Sequence, residues 1–152
     1  MPNVIKQQQD DEILTRDEIL AADDIAFETV EVPEWGKKAD GSPKKVRIKC
    51  MTSTERDAWE NSLIVNDGGK KGQRVSMLDV RAKLLTLTIV DVAGNPQFTL
   101  MDVETLGRKS AAAADRVFEV SKKLSRVSDE DVEEIIKNSE KTPDDNSSGP
   151  SQ

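Results

Sequence analysis

The chain has 152 residues, enough for one domain of ordinary size, and only 36% of them are hydrophobic, so its core must be modest. Charged residues make up 34%, the net charge is −7 and there is no histidine. Without an imidazole, the chain has no histidine base for a serine or cysteine triad and no histidine metal ligand. We therefore expect a small acidic protein that is not an enzyme and uses no cofactor or metal.

Cysteine use and hydropathy indicate the compartment. The single cysteine, Cys50, cannot form an internal disulfide and is predicted to be a small apolar side chain of the core. The N-terminus shows no charged and then apolar leader, and no apolar run approaches the roughly 18 residues of a membrane span. These features favour a protein of the reducing cytoplasm.

Charge is distributed in segments along the chain. Residues 10–31 contain nine acids against the single Arg16, and residues 37–49 contain six bases against Asp40. Residues 129–145 are again acidic. This alternation would suit contacts with copies of the same chain or with a partner of mixed charge, although a patchy solvated surface explains it equally.

The first ordered elements are predicted to be a short helix and a β-hairpin. Thr15 and Glu18 form a capping box, in which the hydroxyl and the carboxylate each accept a backbone amide. The segments 27–33 and 46–50 alternate apolar and polar residues on either side of a stretch rich in turn formers. The acids lie on the first strand and the bases on the second, a pairing that is favourable across strands.

Helical periodicity replaces alternation after the hairpin. A second capping box at 52–55 opens a helix that is predicted to run to Asn66. At 76–89, apolar residues at helical spacing predict the central core helix, with Leu78 on its buried face. The alternation at 85–89 also fits a strand, and we favour the helix because the residues before it suit a helix better.

Three more helices are expected in the second half of the chain. Thr99 opens a brief helix that Gly107 closes, and Ser110 caps a longer one with a regular stripe of apolar and small residues. Ser128 caps the last helix, whose strong apolar residues are Val132, Ile135 and Ile136. They are too few for this helix to stand without docking, which makes them candidates for partner binding.

Together these elements predict an α+β fold. A small antiparallel β-hairpin is followed by, and packed on, a bundle of about four to five α-helices, with disordered termini. Residues 1–12 are predicted to be a flexible lead and residues 13–139 a single domain. Residues 140–152, which are turn formers and charges, are predicted to be a disordered tail.

Three local patterns resemble chemical sites but suit structural roles better. The glycine- and lysine-rich stretch at 67–72 lacks the spacing of a phosphate-binding loop, so we interpret it as a flexible connector. The acids at 129–134 lack the glycine and alternating ligands of a calcium loop, and the first of them suit a helix N-terminus. The bases of the hairpin lack interleaved aromatic residues, which favours a charged surface over nucleic-acid binding. These bases are Lys37, Lys38, Lys44, Lys45, Arg47 and Lys49.

Trp35 is the residue with the most ambiguous role. It follows Pro33 at the end of the first predicted strand. A large aromatic side chain there is either part of the core or an anchor for a partner, because tryptophan is enriched at binding hot spots. The residues alone leave both roles open, and Trp35 is therefore a further candidate for partner binding.

Several segments resemble the tail assembly chaperones of long-tailed bacteriophages. They are ILTRDEIL at 13–20, ETVEVPEWG at 28–36, MTSTERDAWE at 51–60, AKLL at 82–85, VD at 90–91, GNPQF at 94–98, LGRKS at 106–110 and DRVFE at 115–119. The order of parts agrees over roughly residues 12–139, whereas the hairpin loop at 37–45 and the segment at 67–74 are longer and more basic than the family pattern. The resemblance is a pattern of strand, cap and helix and contains no catalytic position.

The resemblance implies a non-enzymatic assembly factor made in the cytoplasm of the infected bacterium. Such a chaperone binds and solubilises the tape measure protein, helps to recruit tail tube subunits and is absent from the mature virion. It implies self-association and neither a nucleic-acid nor a membrane partner. In many relatives a ribosomal frameshift adds a second domain, and the 140–152 tail would suit such a junction.

Two other classes fit the same sequence. A structural tail protein, such as a tube or connector subunit, would remain in the particle. A small acidic adaptor or DNA mimic would occupy a basic groove of another protein, and its binding would weaken steeply with salt.

Overall fold

A computed structural model describes residues 11–66 and 72–140, and in this part the chain has the predicted α+β fold. The helices are α1 Arg16–Ala21, α2 Ser53–Ser62, α3 Val80–Thr88, α4 Val103–Leu106, α5 Ala111–Ser125 and α6 Asp129–Glu140. The strands are β1 Phe27–Glu31, β2 Lys45–Lys49, β3 Ile64–Asn66, β4 Gln73–Val75 and β5 Ile89–Val90. A 3-10 turn at Leu100–Asp102 precedes α4. Residues 1–10, 67–71 and 141–152, which carry most of the predicted lead, connector and tail, lie outside the described residues.

The predicted hairpin is confirmed and forms two strands of a three-stranded antiparallel sheet in the order β1-β2-β5. Val30 lies opposite Val46, and Ile48 lies opposite Ile89. Residues opposite each other share a face, as do residues two apart in a strand, so these four apolar side chains lie on one face of the sheet. Helix α5 packs against both β1 and β2.

The prediction for the central helix was correct in the middle and wrong at both ends. Asp79 adopts a left-handed conformation with φ of 57°, so α3 begins only at Val80, and Leu78 is largely exposed instead of buried. At the other end Ile89 leaves the helix and pairs with Ile48 in the sheet. The apolar run continues from helix into strand because both are buried, which periodicity alone cannot resolve.

A second correction concerns α2, which was predicted to reach Asn66. The helix ends at Ser62, and Leu63 caps it with a fully buried side chain. The β-branched residues Ile64 and Val65 then continue as β3, which pairs antiparallel with β4. This small hairpin has no counterpart among the sequence predictions.

The core is formed where α5 lies against α3 and the sheet. Its largest fully buried side chains include Trp59, Leu84, Leu85 and Val117. Two buried hydroxyls, those of Thr88 and Ser121, lie 3.0 Å apart between α3 and α5. Small and hydrogen-bonded groups at this position let the two helices approach closely without leaving a polar atom unsatisfied.

Side-chain caps at the helix starts confirm the predictions made from sequence. Thr15, Thr52 and Thr99 each form a complete capping box with the acid three residues later. The hydroxyls of Ser110 and Ser128 accept the amides of Ala113 and Asp131. Caps are predictable because both partners lie within one turn of the chain.

Lys49 does not belong to the charged surface on which it was predicted to lie. Its residue is 8% exposed, and its Nζ donates to both carboxylate oxygens of Glu55, at 2.7 Å from Oε2. Burial raises the pKa of Glu55, but the hydrogen bonds from Lys49 and from Thr52 outweigh it, and the pKa lies below 4.5. Neighbouring Cys50 is half-buried, and its Sγ accepts the amide of Ala26 at 3.4 Å. The ion pair between Lys49 and Glu55 links β2 to the start of α2.

Removing the α2 cap should weaken the fold measurably. Thr52→Ala deletes the hydroxyl that accepts the Glu55 amide at 3.1 Å, and we expect the free energy of unfolding to fall by about 1 kcal/mol. Thr54→Ala, in the exposed first turn of the same helix, is the matched control and should change it by less than about 0.5 kcal/mol. Urea unfolding followed by circular dichroism measures both, and equal effects would contradict the capping role.

Candidate functional site

Trp35 lines a cleft of about 350 Å³ beside the end of the sheet. Trp35, Phe98 and Leu106 provide its apolar surface, and Lys109 provides a cation. The complete lining is Glu34, Trp35, Phe98, Asp102, Thr105, Leu106 and Lys109, and we call this feature the Trp35 cleft. Its walls come from the β1–β2 connection, the 3-10 turn and α4, which are far apart in sequence.

An ion pair fixes the turn that carries Trp35. The guanidinium of Arg116, on α5, donates to both carboxylate oxygens of Glu34 at 2.8 Å, and it also reaches the Glu31 carbonyl at 3.4 Å. The hydrogen bond from Arg116 lowers the pKa of Glu34 from 4.5 to about 2. A bidentate pair of this kind restricts orientation as well as distance. The position of the cleft is therefore set by α5.

The indole of Trp35 has contacts on two sides. It is half-buried and packs against the hydrophobic core, and it also lines the cleft. Its Nε1 is buried and has no hydrogen-bond partner among the described residues. Core packing of Trp35 is thus established, whereas its role as an anchor for a partner stays a prediction.

A second depression, the Phe118 groove, lies along α3, α5 and α6 and has a volume of about 460 Å³. It is lined by Met77, Val80, Arg81, Phe118, Glu119, Lys122, Asp129, Val132 and Glu133. Apolar surface at its base is thus flanked by charges of both signs. Such a surface suits a helix that has an apolar face bordered by charged residues.

Two cations lie over the ring of Phe118. The Arg81 guanidinium is 5.6 Å and the Lys122 ammonium 5.0 Å from its centroid, distances typical of cation–π contacts. Lys122 also pairs with Asp129 at 2.8 Å and Glu119 at 3.1 Å. Burial lowers the pKa of Lys122, but these two carboxylates outweigh it and raise the pKa above 10.5. Lys122 is therefore charged at neutral pH, and its charge is balanced by these two carboxylates.

A smaller depression of about 180 Å³ connects the two sites. It shares Leu106 and Lys109 with the Trp35 cleft, and Met77, Val80 and Arg81 with the Phe118 groove. The three depressions therefore adjoin one another through shared lining residues, and we call the three together the docking surface. The apolar stripe predicted for α5 is confirmed for Phe118, which is buried in the core at the edge of the groove. Sequence analysis did not single out Met77, because the residues that form the surface meet only in the folded chain.

The residues of the last helix that were candidates for partner binding already pack, in part, against other residues of the same molecule. Val132 lines the Phe118 groove and, like Ile135, packs against the hydrophobic core. Ile136 is half-buried. Helix α6 also contacts β4. Its few apolar residues are therefore covered, at least in part, within the molecule.

Within residues 11–66 and 72–140, no group of three or more cysteines and acids is placed to hold a metal ion. In the same described part of the chain, no helix is both long enough and apolar enough to cross a membrane.

The pairing of Glu34 with Arg116 predicts a pH dependence of stability. Because the folded pKa lies below the ordinary value, the pair contributes fully above about pH 4.5 and loses its contribution as the pH falls toward 2. We expect the difference in Tm between the wild type and Glu34→Gln to be largest above pH 4.5 and to shrink toward pH 2. Glu104→Gln, which removes the largely exposed pair with Arg108, is the control and should show a smaller difference. A Glu34→Gln difference that does not change with pH would contradict this assignment.

The chain was compared with known families and structures. No protein family and no curated protein matches it in sequence. The structure of the tail assembly chaperone of bacteriophage HK97 is similar, with a TM-score of 0.44 and 13% sequence identity over 82% of this chain and 96% of that chain.

Proposed function

We propose that this protein is a tail assembly chaperone of a long-tailed bacteriophage that binds the tape measure protein and keeps it soluble. The pattern of strands, caps and helices over residues 12–139 resembles that family. The observation that carries the proposal is the docking surface from the Trp35 cleft to the Phe118 groove.

The physical problem that such a chaperone solves is an exposed apolar stripe. A long helical client with an unburied stripe aggregates unless another surface covers it. In the Phe118 groove Met77 offers thioether surface for the stripe, and the exposed side chains of Arg81, Glu119 and Glu133 lie where charges beside the stripe would be paired. Charges of both signs in the groove permit docking of one client at many places along its length.

The net charge of −7 supports the same role. Many copies bound along one client would add repulsion between coated particles and so oppose aggregation. We further propose that the protein acts in the host cytoplasm, self-associates, helps to recruit tail tube subunits and leaves before the virion is complete. In this role it carries out no catalysis and requires no cofactor.

Solubility of the client on co-expression tests the proposal directly. We expect the wild type to move the tape measure protein of the same phage into the soluble fraction. Met77→Glu, at a site 38% exposed, puts a charge in the Phe118 groove and should weaken client binding about tenfold, equivalent to 1.4 kcal/mol. Soluble client should fall accordingly.

Val92→Glu is the matched control, because Val92 is 94% exposed and lies outside the docking surface. It should solubilise the client as well as the wild type does. A client that stays insoluble with the wild type, or an equal loss with both variants, would overturn the proposal. Mass spectrometry of purified particles supplies a second test, since stoichiometric amounts of the protein there would indicate a structural tail subunit.

A further inference from the structure

Helix α1 has an exposed apolar surface. Ile13 and Leu14, just before the helix, and Ile19 and Leu20 within it are between 56% and 70% exposed. A complete capping box at Thr15 and Glu18 caps the N-terminus of the helix. A chain with a modest core thus exposes four large apolar side chains to solvent within eight consecutive residues.

A helix of this length is not expected to be stable without a partner. Isolated helices shorter than about 12 residues are marginal in water, and α1 has 6 residues, none of them buried. Its cap satisfies the backbone at one end but contributes only about 1 kcal/mol. The four apolar side chains are therefore available to supply the missing stabilisation when another surface covers them.

The charge around α1 is complementary to the Trp35 cleft. Residues 11–24 contain six acids and the single Arg16. At the cleft, Lys109 is part of the lining, and the Lys44 side chain lies beside Gly36, directly after Trp35. Neither lysine has an ion-pair partner among the described residues.

The two acids of the cleft are already engaged. Glu34 is paired with Arg116, and Asp102 accepts the amide of Thr99 at 2.8 Å. Around the cleft the cations Lys44, Lys109 and Arg116 thus outnumber Glu34 and Asp102, whereas residues 11–24 carry six acids against the single Arg16. Opposite charges next to matching apolar patches favour association and fix its orientation.

The two surfaces lie at opposite ends of the edge strand β1. Ala26, shortly after α1, is hydrogen-bonded to Cys50 at one end, and Val32 is hydrogen-bonded to Lys44 at the other, just before Trp35. At about 3.3 Å per residue, these ends are about 20 Å apart. A contact between two different surfaces can join copies head to tail, which leaves one surface of each end copy free for the next, or it can be exchanged reciprocally in a two-fold dimer. Oligomers larger than a dimer distinguish the head-to-tail arrangement.

We propose that α1 of one copy docks in the Trp35 cleft of the next copy. The apolar side chains of α1 cover Trp35, Phe98 and Leu106, while its acids face Lys109 and Lys44. This inference rests on the self-association included in the proposed function and is independent of client binding.

Complementation between two variants tests the head-to-tail arrangement. The first variant, Ile19→Asp with Leu20→Asp, removes the apolar surface of α1 and leaves the cleft intact. The second, Thr105→Trp with Lys109→Glu, fills the cleft and reverses its charge while leaving α1 intact. Both change only exposed residues. Circular dichroism melting checks that both remain folded.

Matched controls change equally exposed residues elsewhere. Val92→Asp places an acid on an exposed apolar residue, and Lys123→Glu reverses an exposed cation of α5. Sedimentation velocity of the purified full chain, with no tape measure protein present, gives the mass of each species over a wide range of protein concentration.

We expect the wild type and both controls to form oligomers that grow with concentration, and each double variant to be monomeric. An equimolar mixture of the two variants should form a dimer and nothing larger, because one intact helix meets one intact cleft. Oligomers that persist in either variant, or a mixture that stays monomeric, would overturn this arrangement and leave self-association by another surface. A monomeric wild type would overturn both the arrangement and the proposed self-association, whereas client binding would stand.

Discussion

The structure depends on the packing of α5 between the sheet and α3. Ala113, Val117 and Ser121 are fully buried along one side of this helix. Small side chains there allow α5 to approach two layers at once, and dense packing is what a chain with 36% hydrophobic residues needs. Hydrogen bonds link this helix to its surroundings at two places. Arg116 donates to Glu34 in the turn after β1, and Ser125 accepts the amide of Met51.

The same helix places the docking surface. Phe118 follows Val117 directly, so that one residue points into the core while the next lies at the edge of the Phe118 groove. Arg116, one position earlier, holds the turn that carries Trp35. A single helix therefore controls the position of two depressions that are contributed by distant parts of the chain. Substitutions on exposed groove residues, such as Met77, can change the surface of the groove without loosening this packing.

Elements that depend on residues close together in the sequence were predicted well, whereas contacts between residues far apart in the sequence were not. The caps and the β1–β2 hairpin were predicted because their determinants lie within a few residues or across one turn. Strand β5 was missed because Ile89 becomes a strand residue only through pairing with Ile48, forty-one positions earlier. Lys49 was assigned to the surface because its partner Glu55 lies on another element. Of the docking surface, sequence analysis singled out Trp35 and Val132, while its other residues meet only after folding.

Lining residues shared between the depressions of the docking surface join the two proposed contacts. The depression between them shares Leu106 and Lys109 with the Trp35 cleft, where a neighbouring copy would dock, and Met77 with the Phe118 groove, where the client would lie. A client helix in the groove would then lie beside the α1 helix of the next copy. Each bound copy would present the next one at a high effective concentration along the client, so weak individual contacts suffice for coating. In the proposed function, weak contacts would also allow such a coat to be removed copy by copy as tube subunits take its place.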